Sequence, residues 1–94
     1  MDQPVAYANE PDNGLPLAGV RVLDLSRILA GPWCAMVLGD LGAEVVKVEH
    51  PTRGDDTRDW GLRTGPTNTS YFDAVNRNKS SIGADLSAPE GVTA

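Results

Sequence analysis

Hydrophobic positions in the first half of the chain form strand-like runs on either side of a helix-like spacing. Residues 20–25, rich in Val and Leu, predict a strand that is largely buried. Pro32 is tolerated at the first position of a helix, where its missing N–H has no partner anyway. Apolar residues then recur at helical spacing up to Leu41, and Gly42 is placed to end the helix. Residues 43–49 predict a second strand, so the pattern indicates a βαβ unit with parallel strands and a right-handed crossover.

The second half of the chain carries a weaker periodicity. Residues 50–69 show no clear period and hold several Gly and Pro residues, which is typical of a functional or disordered loop. Residues 71–75 predict a short helix and residues 81–86 a third strand, joined by a turn at 76–80. The fold class that follows is α/β with a parallel sheet.

The two ends of the chain carry different signals. Residues 1–16 hold Pro and Gly but few large apolar groups, and they predict a flexible arm before a domain at residues 17–94. Residues 87–90 have the Ser-x-x-Glu form of a capping box, so a helix is expected from about residue 88. The sequence stops fewer than two turns later. We therefore expect a truncated domain that folds poorly by itself.

Composition narrows the class of protein. The 94 residues suffice for one small domain, and 40% of them are apolar. The net charge of −5 argues against non-specific binding to nucleic acid, which needs a basic face. The uncharged runs are too short to span a membrane. A single cysteine allows no internal disulfide, and the first 14 residues are unlike a targeting peptide, so we expect a soluble, cytoplasmic protein.

The turn between the first strand and the helix is the place where parallel α/β folds bind ligands. A helix N-terminus at that turn favours an anion. An NAD site is one interpretation, and Glu49 lies about where a ribose-binding acid is expected. The G-x-G-x-x-G pattern is absent, however, and Trp33 follows Pro32 where a pyrophosphate would need space. The sequence therefore disfavours an NAD site.

Several single residues carry two interpretations each. Cys34 lies in the first helical turn, where a thiol can be activated, but a small buried apolar residue is favoured. His50, the one histidine, fits a base, a phosphate contact or a solvated loop residue. Asp55 and Asp56 are adjacent, and because neighbours rarely converge on one atom, turn formation is favoured over acid–base chemistry. Residues 76–79 fit a phosphate contact and an ordinary turn equally well.

Six short segments, taken together, resemble a known family. In order they are LAGVRVLDLS at 17–26, AGP at 30–32, LGDLGAEVVKVE at 38–49, GDDTR at 54–58, NRNKS at 76–80 and DL at 85–86. Each motif alone is weak, but the ordered series resembles the opening of the class III CoA-transferases. That family includes formyl-CoA transferase, carnitine CoA-transferase, succinate–hydroxymethylglutarate CoA-transferase and, more distantly, alpha-methylacyl-CoA racemase. The resemblance covers about residues 15–92.

The resemblance implies a fold, an assembly and a reaction. Family members have a large doubly wound α/β domain and a smaller domain, and two subunits interlock as rings in a homodimer. They move CoA from an acyl-CoA donor to a carboxylic acid acceptor, with no permanently bound cofactor. An aspartate attacks the thioester, giving a mixed anhydride and then an aspartyl-CoA thioester. In the family that aspartate lies past position 94, so no residue of this chain is assigned as catalytic and none as a metal ligand.

The resemblance also implies a CoA-binding set. Leu29 and Ala30 fall on the turn before Gly-Pro that touches CoA in formyl-CoA transferase. His50 falls where that enzyme has a basic residue at the nucleotide end of CoA. A third stretch that lines CoA corresponds to Ala84, Asp85, Leu86 and Ser87. These four residues close the third predicted strand, at the edge where parallel α/β sheets bind ligands.

Two alternatives stay open. The first is the isomerase branch of the family, which racemises 2-methylacyl-CoA with a His and an acid located elsewhere; the loop at 54–58 favours the transferase. The second is a non-catalytic or degenerate segment that only binds CoA or pairs with another chain. The stop within a predicted helix favours that second alternative for the 94 residues by themselves, which we expect to be inactive.

Overall fold

A computed structural model describes residue 10 and residues 12–89 of the chain. These residues form three strands, two α-helices and one 3₁₀ turn. The strands are β1 (Arg21–Asp24), β2 (Glu44–Glu49) and β3 (Lys79–Gly83). The helices are α1 (Ala30–Asp40) and α2 (Ser70–Val75), and the 3₁₀ turn covers Asp56–Asp59. Among the described residues, no helix combines the length and apolar character needed to cross a bilayer.

The three strands form one parallel sheet in the order β1-β2-β3. The predicted α/β class with parallel strands is thereby confirmed. Within the described residues β1 pairs along one edge only, because β2 is its single neighbour. The third strand was predicted at 81–86 but begins at Lys79. Asn78 takes a left-handed φ of 62°, which asparagine tolerates, and the turn therefore ends two residues earlier than its polarity suggests.

The sheet has two unlike sides, set by the alternation of side chains along each strand. Register pairs Val22 with Val45 and Asp24 with Lys47. These residues lie on the helix side, where α1 covers the sheet and Ala35 packs on Val45. The helix side is composed of Val22, Asp24, Val45, Lys47, Glu49, Lys79 and Ser81. The open side is composed of Leu23, Val46, Val48, Ser80 and Ile82.

The prediction that the first strand is largely buried was wrong. Leu23 is 63% exposed and Leu25 is 55% exposed. Both residues are apolar, but the described elements pack on the opposite side of the sheet. The periodicity of a strand fixes which residues share a side and not which side is covered.

The helix α1 begins near the predicted proline, but its buried surface differs from its apolar spacing. Trp33 and Val37 are exposed, whereas Pro32, Met36 and Gly39 are buried. A Cβ atom added at Gly39 would lie 3.3 Å from Cβ of Asn78. The absence of a side chain at Gly39 thus lets the end of α1 approach the turn before β3 closely.

The segment before β1 closes over the end of α1. The amide of Leu17 donates to the carbonyl of Leu41 at 2.8 Å, and Asn13 Nδ2 donates to the carbonyl of Gly42 at 2.9 Å. Gly42 has φ 108°, and a Cβ there would lie 2.6 Å from Cβ of Leu15. The predicted arm at residues 1–16 falls mainly on 1–9 and 11, and the helix predicted from residue 88 falls mainly on 90–94, all outside the described residues.

Candidate functional site

A cavity of about 300 Å³ opens at the carboxyl ends of the strands. Its lining includes Leu25, His50 and Ala84, which directly follow β1, β2 and β3. Parallel strands end at one edge of the sheet, so residues distant in sequence meet there. We call this space the strand-end cavity.

Five of the seven residues in the predicted CoA-binding set line the strand-end cavity. They are His50, Ala84, Asp85, Leu86 and Ser87. Leu29 and Ala30 do not line it; they lie at the start of α1 and are exposed. The structure therefore brings two of the three predicted stretches together and leaves the third on the adjoining turn. A binding role for all seven residues stays a prediction.

His50 and Asp85 face each other in this cavity. His50 Nε2 lies 4.0 Å from Asp85 Oδ2. The amides of Thr52 and Arg53 approach His50 Nδ1 at 3.3 Å each, so Nδ1 accepts and the ring proton sits on Nε2. Ser87 donates its amide and its hydroxyl to Asp85 Oδ1, and these bonds lower the pKa of the Asp85 carboxyl. Asp85 is therefore a charged group already engaged by its own turn.

Two cavity residues, Arg27 and Arg53, were not predicted as site residues. Arg27 lies in the turn after β1, and Arg53 lies in the loop after β2. Each follows a strand by a few residues, which was the available signal. Two guanidiniums near the histidine give this cavity donors that suit phosphate or carboxylate oxygens.

The turn from β1 into α1 has an unusual backbone. Ile28 has φ 74°, a region that a β-branched residue rarely adopts. Its amide donates to both carboxylate oxygens of Asp55, at 3.3 and 3.2 Å. Gly31 is required by the same tight path, because a Cβ there would lie 2.3 Å from Cβ of Ser26. Contacts with other residues, rather than backbone propensity, thus fix Ile28 and Gly31 in this turn.

Four charged residues lie fully buried beneath this turn, and we call them the buried ion network: Asp24, Lys47, Asp55 and Lys79. Lys47 Nζ lies 3.0 Å from Asp55 Oδ2, and Lys79 Nζ lies 2.8 Å from Asp24 Oδ2. The ammonium groups also reach backbone oxygens, Lys47 that of Ser26 at 3.1 Å and Lys79 that of Pro32 at 3.0 Å. This network was not predicted from the sequence. The available signal in the sequence was Lys47, because within Val-Val-Lys-Val its side chain lies on the same side of the strand as that of Val45.

Burial alone would raise the pKa of the Asp24 carboxyl, but hydrogen bonds from Lys79 and Ser26 outweigh it and lower that pKa. The Asp55 carboxyl shows the same balance. Burial alone would raise its pKa, but hydrogen bonds from Thr57 and Lys47 lower it. Burial lowers the pKa of Lys79, and Asp24 offsets only part of that effect. Burial therefore penalises every charge in the network, and the hydrogen bonds to the two carboxylates outweigh that penalty whereas the interactions of Lys79 do not.

A second buried pair fixes the loop after β2. Glu49 accepts from Arg58 Nε and Nη2 at 2.7 Å each, and it also binds the Ser81 hydroxyl. The Arg58 guanidinium lies over the Phe72 ring, 3.8 Å from its centroid. With both oxygens occupied, Glu49 is unavailable to a ribose, which agrees with the sequence argument against NAD.

Burial decides between the alternative interpretations of the remaining candidate residues. Asp55 is buried and accepts from the Thr57 amide at 3.0 Å, while Asp56 is exposed, so the two carboxylates form a turn and do not converge. Lys79 is fully buried, which favours the structural interpretation of residues 76–79. Cys34 is exposed, and the prediction of a buried thiol was wrong because α1 turns that position away from the sheet. Among the described residues, no group of three or more His, Cys, Asp or Glu is arranged to hold a metal ion.

Comparison with known proteins identifies relatives of this chain. A sequence model described as CoA-transferase family III matches residues 17–94. Succinyl-CoA:glutarate CoA-transferase of Mus musculus is 58% identical over 81 residues, covering 86% of this chain and 19% of the relative. Succinate–glutarate CoA-transferase of Agrobacterium fabrum is 49% identical over 87 residues, covering 86% of this chain and 22% of the relative.

A solved structure agrees with these sequence relatives. A CAIB/BAIF family protein from Brucella suis superposes with a TM-score of 0.76 at 52% identity, over 82% of this chain and 21% of that one. The chain thus spans about a fifth of the length of each protein that it matches here.

Proposed function

The chain belongs to CoA-transferase family III, and from this premise we propose that residues 17–94 supply part of the CoA-binding surface of a CoA-transferase. The enzyme moves CoA from an acyl-CoA donor to a carboxylic acid acceptor. The observation that carries the proposal is the strand-end cavity, where His50 and residues 84–87 converge beside the turn that holds Leu29 and Ala30. CoA is a substrate here and not a resident cofactor.

The cavity residues suit the polar end of CoA. Arg27 and Arg53 offer guanidinium donors to phosphate oxygens, and His50 offers its Nε2–H. The Asp85 carboxylate, which accepts from Ser87 through Oδ1, adds one negative charge to this lining. The binding set comprises Leu29, Ala30, His50, Ala84, Asp85, Leu86 and Ser87, together with the two arginines.

The names of the relatives suggest the substrates. The mouse protein is named for succinyl-CoA and glutarate, and the bacterial one for succinate and glutarate. We infer that the donor is a dicarboxylyl-CoA such as succinyl-CoA and the acceptor a short dicarboxylate. These names favour transfer over the racemisation of 2-methylacyl-CoA.

The reaction needs a carboxylate that attacks the thioester and then carries CoA as an aspartyl thioester. Asp24 and Asp55 are buried and paired with lysines, so neither is available to a thioester carbonyl. As the family resemblance implies, the attacking aspartate is expected outside residues 17–94. A homodimer and a cytoplasmic location are further parts of the proposal, and 94 residues alone are expected to be inactive.

The first experiment is the mass of the native polypeptide, detected in cell extract with an antibody against this segment. A band several times larger than the 10.0 kDa chain supports the transferase and leads to an assay with succinyl-CoA and glutarate. A band near 10 kDa would contradict catalysis by this polypeptide and leave a CoA-binding or non-functional segment.

A second experiment tests the cavity. Arg53→Gln removes one guanidinium and should weaken CoA binding about tenfold in calorimetry, the size of one charge-assisted hydrogen bond. Binding of pantetheine, which lacks the nucleotide, should not change. Arg63→Gln is the matched control, because Arg63 pairs with Asp59 outside the strand-end cavity. Equal losses in both variants would contradict the assignment.

A further inference from the structure

We propose that the buried ion network is a positioning device that holds the β1–α1 turn in its binding shape before CoA arrives. This inference rests on the proposed function, because it assigns a role to residues beneath a surface expected to meet CoA. The four residues of the network are positioning residues. Of these four, only Asp55 lines the strand-end cavity.

The starting observation is strain in the turn. Ile28 holds φ 74°, although it is β-branched and not a glycine. Such a conformation persists only where the surroundings over-determine it, and it concentrates at ligand-binding sites. A turn free of constraints would relax to a negative φ. Something therefore holds Ile28 in place.

The Asp55 carboxylate is the direct constraint on Ile28. It accepts the Ile28 amide through both oxygens, at 3.3 and 3.2 Å. Asp55 cannot move to follow a relaxing turn, because Lys47 holds Oδ2 at 3.0 Å and Thr57 holds Oδ1 through its amide and its hydroxyl. Its own amide donates to Glu49 at 2.8 Å.

The start of the turn is held in the same way. Asp24 accepts the amide and the hydroxyl of Ser26, and Lys47 donates to the Ser26 carbonyl. Lys79 holds Asp24 at 2.8 Å and reaches the Pro32 carbonyl at the beginning of α1. The turn is thus bound to the sheet at its start, its middle and its end.

Stability alone gives no reason for such a network. Four buried charges cost desolvation, and apolar residues of similar volume are often as stabilising. What charges provide here is directional contact with backbone groups of one turn. The outer surface of that turn carries Arg27 into the strand-end cavity and exposes Leu29 beside it. A fixed turn reduces the ordering that CoA would otherwise have to impose on binding.

The test is a rescue experiment in the native polypeptide that carries this segment. In Asp55→Asn, Thr57 keeps the amide oxygen at the Oδ1 position, so the amide nitrogen replaces Oδ2 and opposes the Lys47 ammonium and the Ile28 N–H. Ile28 then retains only its 3.3 Å contact with the oxygen at Oδ1. Its Kd for CoA and its KM for the acyl-CoA donor should rise about tenfold, within the usual range of coupled contacts, with kcat little changed. Ile28→Gly alone should change the Kd less than about twofold, because glycine adopts positive φ without constraint.

The double variant decides the proposal. In Ile28→Gly/Asp55→Asn the turn reaches its shape without the carboxylate, and binding should return to within about threefold of the original Kd. A structural role of Asp55 that does not act through Ile28 gives no such rescue. Asp59→Asn, at an exposed carboxylate of the same loop, is the control and should bind CoA normally.

The outcomes separate the two proposals. An Asp55→Asn protein that binds CoA normally, or a double variant as weak as the single one, overturns the positioning role while leaving the CoA site standing. If Asp55→Asn fails to fold, Lys47→Met/Asp55→Asn removes both charges and is tested in its place. If the unaltered protein fails to bind CoA, the proposed function fails, and hydrogen exchange of amides 26–30 still tests the turn: unchanged protection in Asp55→Asn would overturn its positioning.

Discussion

The two sides of the sheet reverse the usual distribution of polar and apolar groups. The helix side buries charged residues completely, with Lys47 and Lys79 at 0% exposure. The open side leaves apolar residues in contact with solvent, among them Leu23 and Ile82. Residues that alternate along the same strands therefore have environments that hydropathy alone would assign the other way round.

The difference teaches that contacts with neighbouring elements, and not side-chain polarity, decide burial in this segment. On the helix side the charges are satisfied: among the described residues, no buried side-chain nitrogen or oxygen lacks a hydrogen-bond partner. On the open side no described helix lies against the strands. We therefore expect the helix side of the sheet, with its buried charges, to contribute most of the sheet's stability.

The largest effect is expected from breaking the charged side. Lys79→Met leaves the Asp24 carboxylate with only the Lys47 ammonium, 3.9 Å from Oδ2, and removes a donor from Asn76 and Pro32. Removal of one member of a buried pair typically costs about 3–5 kcal/mol. Urea denaturation followed by tryptophan fluorescence should show that loss, or no folded baseline at all.

Two variants check this interpretation. Arg77→Met breaks the exposed pair with Asp40, and an exposed pair contributes little to stability. Asp24→Leu/Lys79→Met removes both buried charges and should recover much of the stability. A Lys79→Met protein as stable as Arg77→Met would contradict the assigned weight of the charged side.

A smaller effect is expected from acid. The folded-state pKa values of Asp24, Glu49 and Asp55 lie below their ordinary values. A depressed carboxyl pKa contributes stability above the unfolded pKa, about 4, and that stability is lost as pH falls through the folded value. The free energy of unfolding should therefore fall below about pH 4. Lys79, whose pKa is also lowered, binds its proton more weakly when folded, so it adds no loss at alkaline pH.

The acid effect has its own control. Asp59 is an exposed carboxylate outside the buried ion network, and Asp59→Asn is the control when the slope of stability against pH is measured below pH 4. Asp55→Asn should flatten that slope. The prediction fails if both variants retain the slope of the unaltered protein.

The smallest effect is expected on the open side. Leu23→Ser replaces a side chain that is 63% exposed, and in the 94-residue chain it should change the free energy of unfolding by less than about 0.5 kcal/mol. Val45→Ser, at a buried position on the helix side of β2, is the matched comparison and should lower the free energy of unfolding several times more. A large loss in Leu23→Ser would mean that another part of the chain covers the open side.

Local patterns predicted much of the fold. The Val-rich runs gave β1 and β2, and Pro32 and Gly42 bracket α1. The ion network escaped prediction because Asp24 and Lys79 lie 55 residues apart, and only the strand register brings them together. A lysine between valines reads as exposed until its partner is known. The exposed Cys34 escaped for the related reason that helical spacing does not say which side faces the sheet.

The candidate site, like the fold, has one part that the sequence predicted and another part that it did not. His50 and residues 84–87 meet because each follows a parallel strand, which is a topological consequence that the sequence could supply. Leu29 and Ala30 fall beside the cavity because α1 begins at Ala30 and turns them outward. Arg27 and Arg53 were missed since exposed arginines in loops have no pattern of their own.

The separation of Asp24 and Lys79 also has a meaning in time. A ribosome adding about 5–20 residues per second needs roughly 3–11 s to extend the chain from one to the other. During that interval Asp24 lacks Lys79, and only the more distant Lys47 ammonium is present to pair with it. Among the described strands, β3 is the last to be synthesised and completes the buried ion network, and their order of synthesis is also their order in the sheet.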